Sequence, residues 1–394
     1  MTDDLLQFAQ ELVRTQSYSG QEEGAARLIA ARMQALGYDE VRIDRFGNVL
    51  GRMGEGPRAV LFDSHMDTVT VTDAEQWAQP PFSGAIADGY LWGRGAVDMK
   101  CGLAASLYAP ARARQSGRLV GKTVYVSCTV DEEYCDGEAL EHNLAGCRQR
   151  PDCAVICEPS ANLIATGHKG KAQVIIRTQG VSAHGSAPEK GVNAIYEMAE
   201  IIQRVEQANR ELARAGDARA DLRPGDENTR RSHGTLVLSR ISSTGVSLNA
   251  VPSECEIYLD RRMVVGETEA TIRAEMERLI AGKRATWEID TLRRKTWTGA
   301  ELVYHPLHLA WEIGLEHELA LAFEAAVTEV RGQAPELYDY WDFSTNAVAT
   351  VRLGIPTIGF GPGEHKLAHM RDEKCAVGEI EEAGAVYERV IGKL

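Results

Sequence analysis

Histidine and carboxylate side chains gather in this sequence where apolar runs end. Ala59-Val60-Leu61-Phe62 is followed at once by Asp63-Ser64-His65-Met66-Asp67-Thr68-Val69. Asp98 closes Gly93-Arg94-Gly95-Ala96-Val97-Asp98, and Asp131-Glu132-Glu133 follows the run from Thr123 to Val130. Glu158 follows Ala154-Val155-Ile156-Cys157, and His369 lies downstream of Pro356 to Phe360. Imidazole and carboxylate groups are ligands for zinc, manganese and cobalt alike. Two histidines and several carboxylates meeting at one place suit a pair of divalent ions, and metal-assisted hydrolysis is the chemistry such a pair supports.

Each segment alone has a plainer reading. His65-Met66-Asp67 is a weak signal by itself, since any surface turn can supply it. In an extended chain, however, residues 65 and 67 share a side, so Asp67 can bond one ring nitrogen of His65 while the other binds metal. Asp131-Glu132-Glu133 read alone is a solvated acidic turn. Placed directly after a strand, adjacent side chains point to opposite faces, so one glutamate can bind metal while the other acts as general base. Gly93 to Gly102 matches neither phosphate-binding fingerprint; its glycines allow a tight turn from which Asp98 projects between two cations.

The elements that must position these residues follow α/β grammar over the first hundred and seventy residues or so. Ala59 to Phe62 reads as a buried parallel strand, and in open α/β sheets sites form beyond the carboxyl ends of strands. Glu22 to Leu36 carries Ala25, Leu28, Ile29, Met33 and Leu36 at helical spacing and ends on Gly37. After Gly170 strands alternate instead, with Val174 and Ile176 against Gln173 and Arg177, and later Cys255, Ile257 and Leu259 against Glu254, Glu256 and Tyr258. Asn193 is expected to cap a helix whose face is Ile195, Met198, Ala199, Ile202 and Val205, and a second helix spans about Glu267 to Ile280. Gly216 to Ser232 reads as a polar loop. The expected division is a catalytic domain of residues 1–178 and 296–394, with a smaller α+β dimerisation or lid domain inserted at 179–295.

The formal net charge of −14, from 57 acidic and 43 basic residues, leaves no electrostatic footprint for nucleic acid. Residues 1–20 lack the basic start and continuous apolar run of a signal peptide, and no run is long enough to span a bilayer. The eight cysteines contain no Cys-x-x-Cys pair, which reads as reduced thiols in a cytoplasmic protein.

Taken together and in order, Ser64 to Val69, Gly93 to Asp98, Asp131-Glu132-Glu133, Cys157-Glu158-Pro159, Val181 to Gly185, Asn249-Ala250-Val251-Pro252, Asp260-Arg261-Arg262 and Ala368-His369 resemble the M20 metallopeptidases. These include aminoacylase, acetylornithine deacetylase, succinyl-diaminopimelate desuccinylase and glutamate carboxypeptidase relatives. The resemblance spans essentially the whole chain and is nearest to the branch called selenium-metabolism-linked hydrolases, through Cys135-Asp136-Gly137, His184 to Glu189, Asp342 to Asn346 and Gly359 to Gly363. It implies a zinc-peptidase-like catalytic domain with a mixed, largely parallel sheet. It also implies two divalent ions per chain, zinc first with manganese or cobalt as alternatives. Asp98 would bridge them, with His65 and Glu158 completing one and Glu133 and His369 the other. Four residues upstream, His365 competes with His369 but fits the motif less well. Glu132 would be the base, acting on a metal-bridging water, with Asp67 beside it. His184 would help stabilise the oxyanion in the other subunit of a homodimer, and Asn249, Arg262 and Gly361 would meet a small-molecule substrate. His168 has no assigned role. The implied reaction is amide hydrolysis of an N-acyl amino acid or small peptide; the alternatives are a carbamoyl, amidine or aryl-amine C–N bond, or a silent binding protein on the same fold.

Overall fold

Strands made almost wholly of apolar residues are stable only with both faces covered, and the chain builds its centre from such strands. The computed structural model describes residues 2–219, 233–245, 247–335 and 338–394. Arg58–His65 lies parallel to Lys122–Thr129 on one side and to Cys153–Ile156 on the other. Around these three the sheet reaches nine strands, in the order Glu40–Ile43, Val49–Met53, Lys122–Thr129, Arg58–His65, Cys153–Ile156, Thr357–Gly359, Ile164–His168 and Trp311–Glu312, with Tyr338–Trp341 also paired to Ile164–His168. Its centre is parallel and its flanks antiparallel, apart from Tyr338–Trp341, which runs parallel to Ile164–His168. Side-chain alternation splits the strand between two cores: Val60 and Phe62 join Leu5, Phe8, Leu103, Phe323 and Tyr387, while Ala59 and Leu61 join Leu140, Leu144 and Ile355. Helices Thr2–Arg14, Cys101–Gln115, Glu318–Arg331 and Val377–Lys393 cover the first face.

A second sheet is antiparallel throughout. It runs Thr235–Thr244, Glu254–Met263, Gly170–Gln179 and Ala285–Ile289, with Leu307–His308 also paired to Gly170–Gln179. Its apolar face, Val174, Ile176, Ile257 and Leu259, packs on helices Ala194–Arg219 and Glu269–Ile280. The strand Gly170–Gln179 belongs to this sheet along its whole length, so the passage into the second unit lies near Gly170, ahead of the expected boundary at 178/179. A two-stranded hairpin, Leu292–Lys295 with Glu301–Tyr304, leads back to the first.

Two further expectations shift. The helix after Asn193 buries Ala194, Met198, Ile201, Val205 and Ala208, while Ile195 is 37% exposed; the stripe is rotated from the one read off Ile195 and Ala199, because the second sheet and not the cap selects the face. The same helix continues to Arg219, so Gly216 to Arg219 are helical and not loop; the remainder of the polar stretch, 220–232, lies outside the described residues. No helix among the described residues is long and apolar enough to cross a membrane, and all eight cysteines are free thiols.

Candidate metal centre

His65 is the last residue of its strand and lies opposite Thr129 of the parallel neighbour, so its ring is delivered to the carboxyl edge of the sheet. The ring is 1% exposed. Nδ1 is 3.0 Å from the backbone carbonyl of Asp67 and 3.4 Å from its carboxylate. The carbonyl is thus the nearer partner that leaves Nε2 pointing into the site. The Asp67 carboxylate is engaged elsewhere, accepting from the Glu132 and Glu133 backbone N–H groups at 3.1 and 3.2 Å and from the Ser19 hydroxyl at 2.7 Å.

Asp98 arrives from outside the main sheet. It follows Tyr90–Trp92, the middle strand of a separate three-stranded sheet with Ala85–Ala87 and Lys374–Ala376. Gly95 turns the chain with φ 84°, a conformation glycine adopts at little cost. The buried Glu373 then accepts the N–H groups of Val97 and Asp98 at 2.8 and 3.1 Å, and pairs with Arg94 at 2.5 Å. Arg94 also donates to the carbonyls of His369 and Met370, so one buried ion pair joins the Asp98 loop to the His369 loop. As a result Asp98 Oδ1 is 2.8 Å from His65 Nε2, and Oδ2 is 3.2 Å from His369 Nε2. One carboxylate lies between two histidines that are 304 positions apart by their numbers in the chain.

Glu132 and Glu133 diverge because they begin a helical turn, Glu132–Cys135, entered through Asp131 at φ 56°. The strand alternation expected for them has ended by this point. Glu133 Oε2 is 2.9 Å from His369 Nε2, and Glu158 Oε1 is 3.6 Å from His65 Nε2. Ligand atoms from His65, Glu132 and Glu158 lie within 4.8 Å of one another, as do those from His65, Asp98 and Glu133. His365 is turned toward Asp339, at 3.9 Å, so His369 is the histidine brought to Asp98.

So many carboxylates in one buried space disturb every ionisation. Burial and the nearby Asp98 push the Glu158 carboxyl well up; burial and Asp98 also raise Glu133. Burial is again the main cause for Glu132, joined by Glu158 and opposed by His65. Hydrogen bonds to Asp98 and Glu133 carry His369 up to about 11. For His65 burial works downward, but Glu158, Asp67 and Asp98 outweigh it and the net shift is strongly upward. The cluster therefore draws in positive charge. Glu133 Oε1 is buried without a hydrogen-bond partner, and the donor set of imidazoles and carboxylates fits divalent ions.

A cavity of about 320 Å³ opens over these groups. Its wall includes Asp98, Glu132, Glu133, Glu158 and His369, and from the second sheet Lys171 and Arg262, which face each other across paired strands. Arg262 is thus at the cavity, held by Asp260 at 2.7 Å. His184 and Asn249 are not: both are exposed on the second unit, where the backbone N–H of Gly185 donates to the Asn249 carbonyl. His184 Nδ1 is 2.7 Å from the Ser186 hydroxyl. Gly361 is buried beneath the Glu158 segment, and a Cβ there would stand 2.4 Å from the Glu158 carbonyl oxygen; it shapes the backbone under Glu158 and does not line the cavity. His168 is fully buried and pushed down to about 4 by burial. Sequence reasoning missed Lys171 and gave no role to Asp136, which pair at 2.6 Å in the cavity wall; the polar face of the alternating strand was the available signal for Lys171, and the Cys135-Asp136-Gly137 motif that for Asp136.

The profile of peptidase family M20/M25/M40 matches residues 61–393. The chain belongs to that family. It is a metal-dependent hydrolase acting on C–N bonds. It is 34% identical over 387 residues to the uncharacterized protein YgeY of Escherichia coli (strain K12), spanning 98% of this chain and 93% of the relative. It is 28% identical to succinyl-diaminopimelate desuccinylase of Cereibacter sphaeroides (strain KD131), over 99% of each. Among solved structures it resembles the Bacillus subtilis YXEP protein, described as a dinuclear metal binding peptidase from the M20 family, with a TM-score of 0.67 and 15% identity over 99% of this chain and 97% of that one. The M20 fold, with its large mixed sheet and smaller lid unit, is the fold seen here.

Proposed function

We propose that this chain is a dinuclear hydrolase that cleaves the amide C–N bond of an N-acyl amino acid or a small peptide. The observation that carries the reading is Asp98, whose two oxygens face His65 on one side and His369 on the other. His65 and Glu158 would hold one ion, Glu133 and His369 the other, and Asp98 both; zinc is the first candidate. The name of the YXEP relative, a dinuclear metal binding peptidase, supports the count.

When bound, such ions supply Lewis acidity and make water a nucleophile near neutral pH. Glu132 would do the proton work. The residue is 8% exposed, it groups with His65 and Glu158, and its backbone N–H is held by Asp67. It accepts the proton of the attacking water and returns it to the departing nitrogen. Lys171 and Arg262 line the cavity, paired with Asp136 and Asp260, and an acidic end of the substrate would be drawn to them; Asn249, exposed outside this cavity, would have to approach from the second unit to meet it. His184, too exposed to act within its own chain, would serve the oxyanion of a partner subunit in a homodimer. The apolar side chains left open on the second unit support that reading: Tyr196 is 73% exposed, Val237 48% and Ile241 51%, the last two on the edge strand Thr235–Thr244. Eight unpaired cysteines support a reducing, cytoplasmic setting.

The test is a panel of N-acyl amino acids, dipeptides and ureido acids offered to the zinc-loaded protein. Release of a carboxylate and an amine is expected. Release of ammonia and carbon dioxide would move the activity to carbamoyl substrates, and no turnover with any member would overturn the reading.

A further inference from the structure

Three consecutive backbone N–H groups of the Asp131-Glu132-Glu133 turn point into buried carboxylates. Asp131 donates to Glu22 Oε1 at 3.1 Å, Glu132 to Asp67 Oδ1 at 3.1 Å and Glu133 to Asp67 Oδ2 at 3.2 Å. Glu22, Asp67 and Asp131 are themselves fully buried, with an oxygen from each within 4.8 Å of the others. Carboxylates packed this closely away from water repel one another unless charge is compensated. Beside His65, which approaches Asp67 at 3.4 Å, the trio is met by Arg294. Its Nε and Nη2 lie 2.9 and 2.8 Å from Asp131 Oδ1, and Nη2 is 3.4 Å from the Ser19 carbonyl. Its guanidinium lies 3.9 Å over the Tyr134 ring. Asp131 takes a left-handed φ of 56°, which a residue other than glycine keeps only where its surroundings hold it.

Arg294 does not belong to the element it grips. It lies on Leu292–Lys295, the first strand of the hairpin leaving the second sheet. The other strand ends at Tyr304, whose hydroxyl donates to Asp136 at the far end of the same short helix. The hairpin thus holds the Glu132–Cys135 turn at both ends. The N–H donors and Arg294 make the acidic trio a socket for the turn, with Glu22 Oε2 and Asp131 Oδ2 left buried without a hydrogen-bond partner.

We propose that Arg294 is a positioning residue: bound to Asp131, it fixes the turn from which Glu132 and Glu133 reach the centre and so sets the affinity of the ion held by Glu133. The inference rests on the roles proposed above for these two glutamates. It is tested by calorimetric titration of zinc into chelator-stripped protein, using Arg294→Ala, Arg294→Gln and, as control, Arg293→Ala, whose arginine is exposed on the same strand and pairs with Glu301. Loss of an outer partner of a metal ligand typically costs about 10- to 100-fold in metal affinity or activity. One of the two zinc equivalents is expected to weaken by that factor in both Arg294 variants, with the other equivalent and the control unchanged. Millimolar guanidinium should restore it in Arg294→Ala, and urea should not. On any substrate that the wild type turns over, kcat should fall with KM little moved. Wild-type affinity for both equivalents in the Arg294 variants overturns the proposal. So does a loss that follows a lowered melting temperature of the stripped protein and resists guanidinium. A wild type that binds only one equivalent fails the parent reading instead. Weakening of that one in Arg294→Ala would then still support the positioning role, and unchanged affinity would overturn it.

Discussion

Glu132 and Glu133 are adjacent, both buried by their neighbours, and assigned different work. An amide in place of the carboxylate separates the two roles. Glu132→Gln removes the proton acceptor and keeps the shape, so turnover should fall about 10²- to 10⁴-fold, the usual share of general acid–base catalysis, with zinc content unchanged by elemental analysis. Glu133→Gln should lose zinc together with rate. A Glu132 variant that stays active, or loses zinc while the Glu133 variant keeps it, would reverse the assignment. Glu22 allows a different test. Burial, reinforced by Asp67, raises its carboxyl from 4.5 to about 8. A carboxyl raised in the folded state binds its proton more tightly there than in the unfolded chain. Its contribution is complete below pH 4.5 and is lost as pH climbs toward 8. Glu22→Gln keeps an oxygen for the Gly20 and Asp131 N–H groups and has no proton to lose. In metal-free protein its melting temperature should decline less than the wild type's between about pH 4.5 and 8; parallel declines would refute the point. Most of the residues that meet at the candidate centre were legible in the sequence because they stand where apolar runs end. Glu22 and Arg294 were not, since a glutamate at a helix start and an arginine on a polar strand look like ordinary surface residues until folding buries the first and turns the second onto Asp131.

At the level of elements, close approach of backbone segments fixes the site as much as any side chain does. Gly361 lies where a Cβ would come 2.4 Å from the Glu158 carbonyl and 2.5 Å from that of Cys157. Backbone cannot yield as the tip of a flexible side chain can, so Gly361→Ala must displace the segment carrying Glu158. Overpacking of this kind costs about 1–3 kcal/mol, and the displaced ligand should weaken zinc binding as well. Thermal melting and zinc titration together check both effects; a variant with wild-type values in each would show that the segment relaxes freely. The strands at the centre were readable because their apolar runs are continuous. Two details were not. Asp98 comes from a separate small sheet of three-residue strands, too short for a periodic signal, and Glu132–Glu133 begin a helix because Asp67 accepts both their N–H groups and Glu22 that of Asp131, partners that lie far away in sequence.

On the scale of the whole molecule, the alternation of helices and buried strands followed by alternating strands foretold two units, and the order of motifs foretold the family. What sequence could not give is which of the distant residues share a site within one chain. His369 reaches Asp98 because a buried Arg94–Glu373 pair closes the loop on it, whereas His184 stays exposed on the second unit with Ser186 as its partner. A histidine so placed serves catalysis only if another copy brings its own centre to it. In a closed two-fold dimer such a loan is reciprocal, and each centre then draws on two chains. His184→Ala and Glu132→Gln should each be inactive alone. Mixed under conditions that exchange subunits, they form heterodimers in which one centre has an intact Glu132 from one chain and an intact His184 from the other. Partial recovery of turnover is expected, approaching one working centre per heterodimer. Absence of recovery, with exchange demonstrated by mass-tagged subunits, would confine His184 to a structural role on its own unit and remove the need for a dimer from the mechanism.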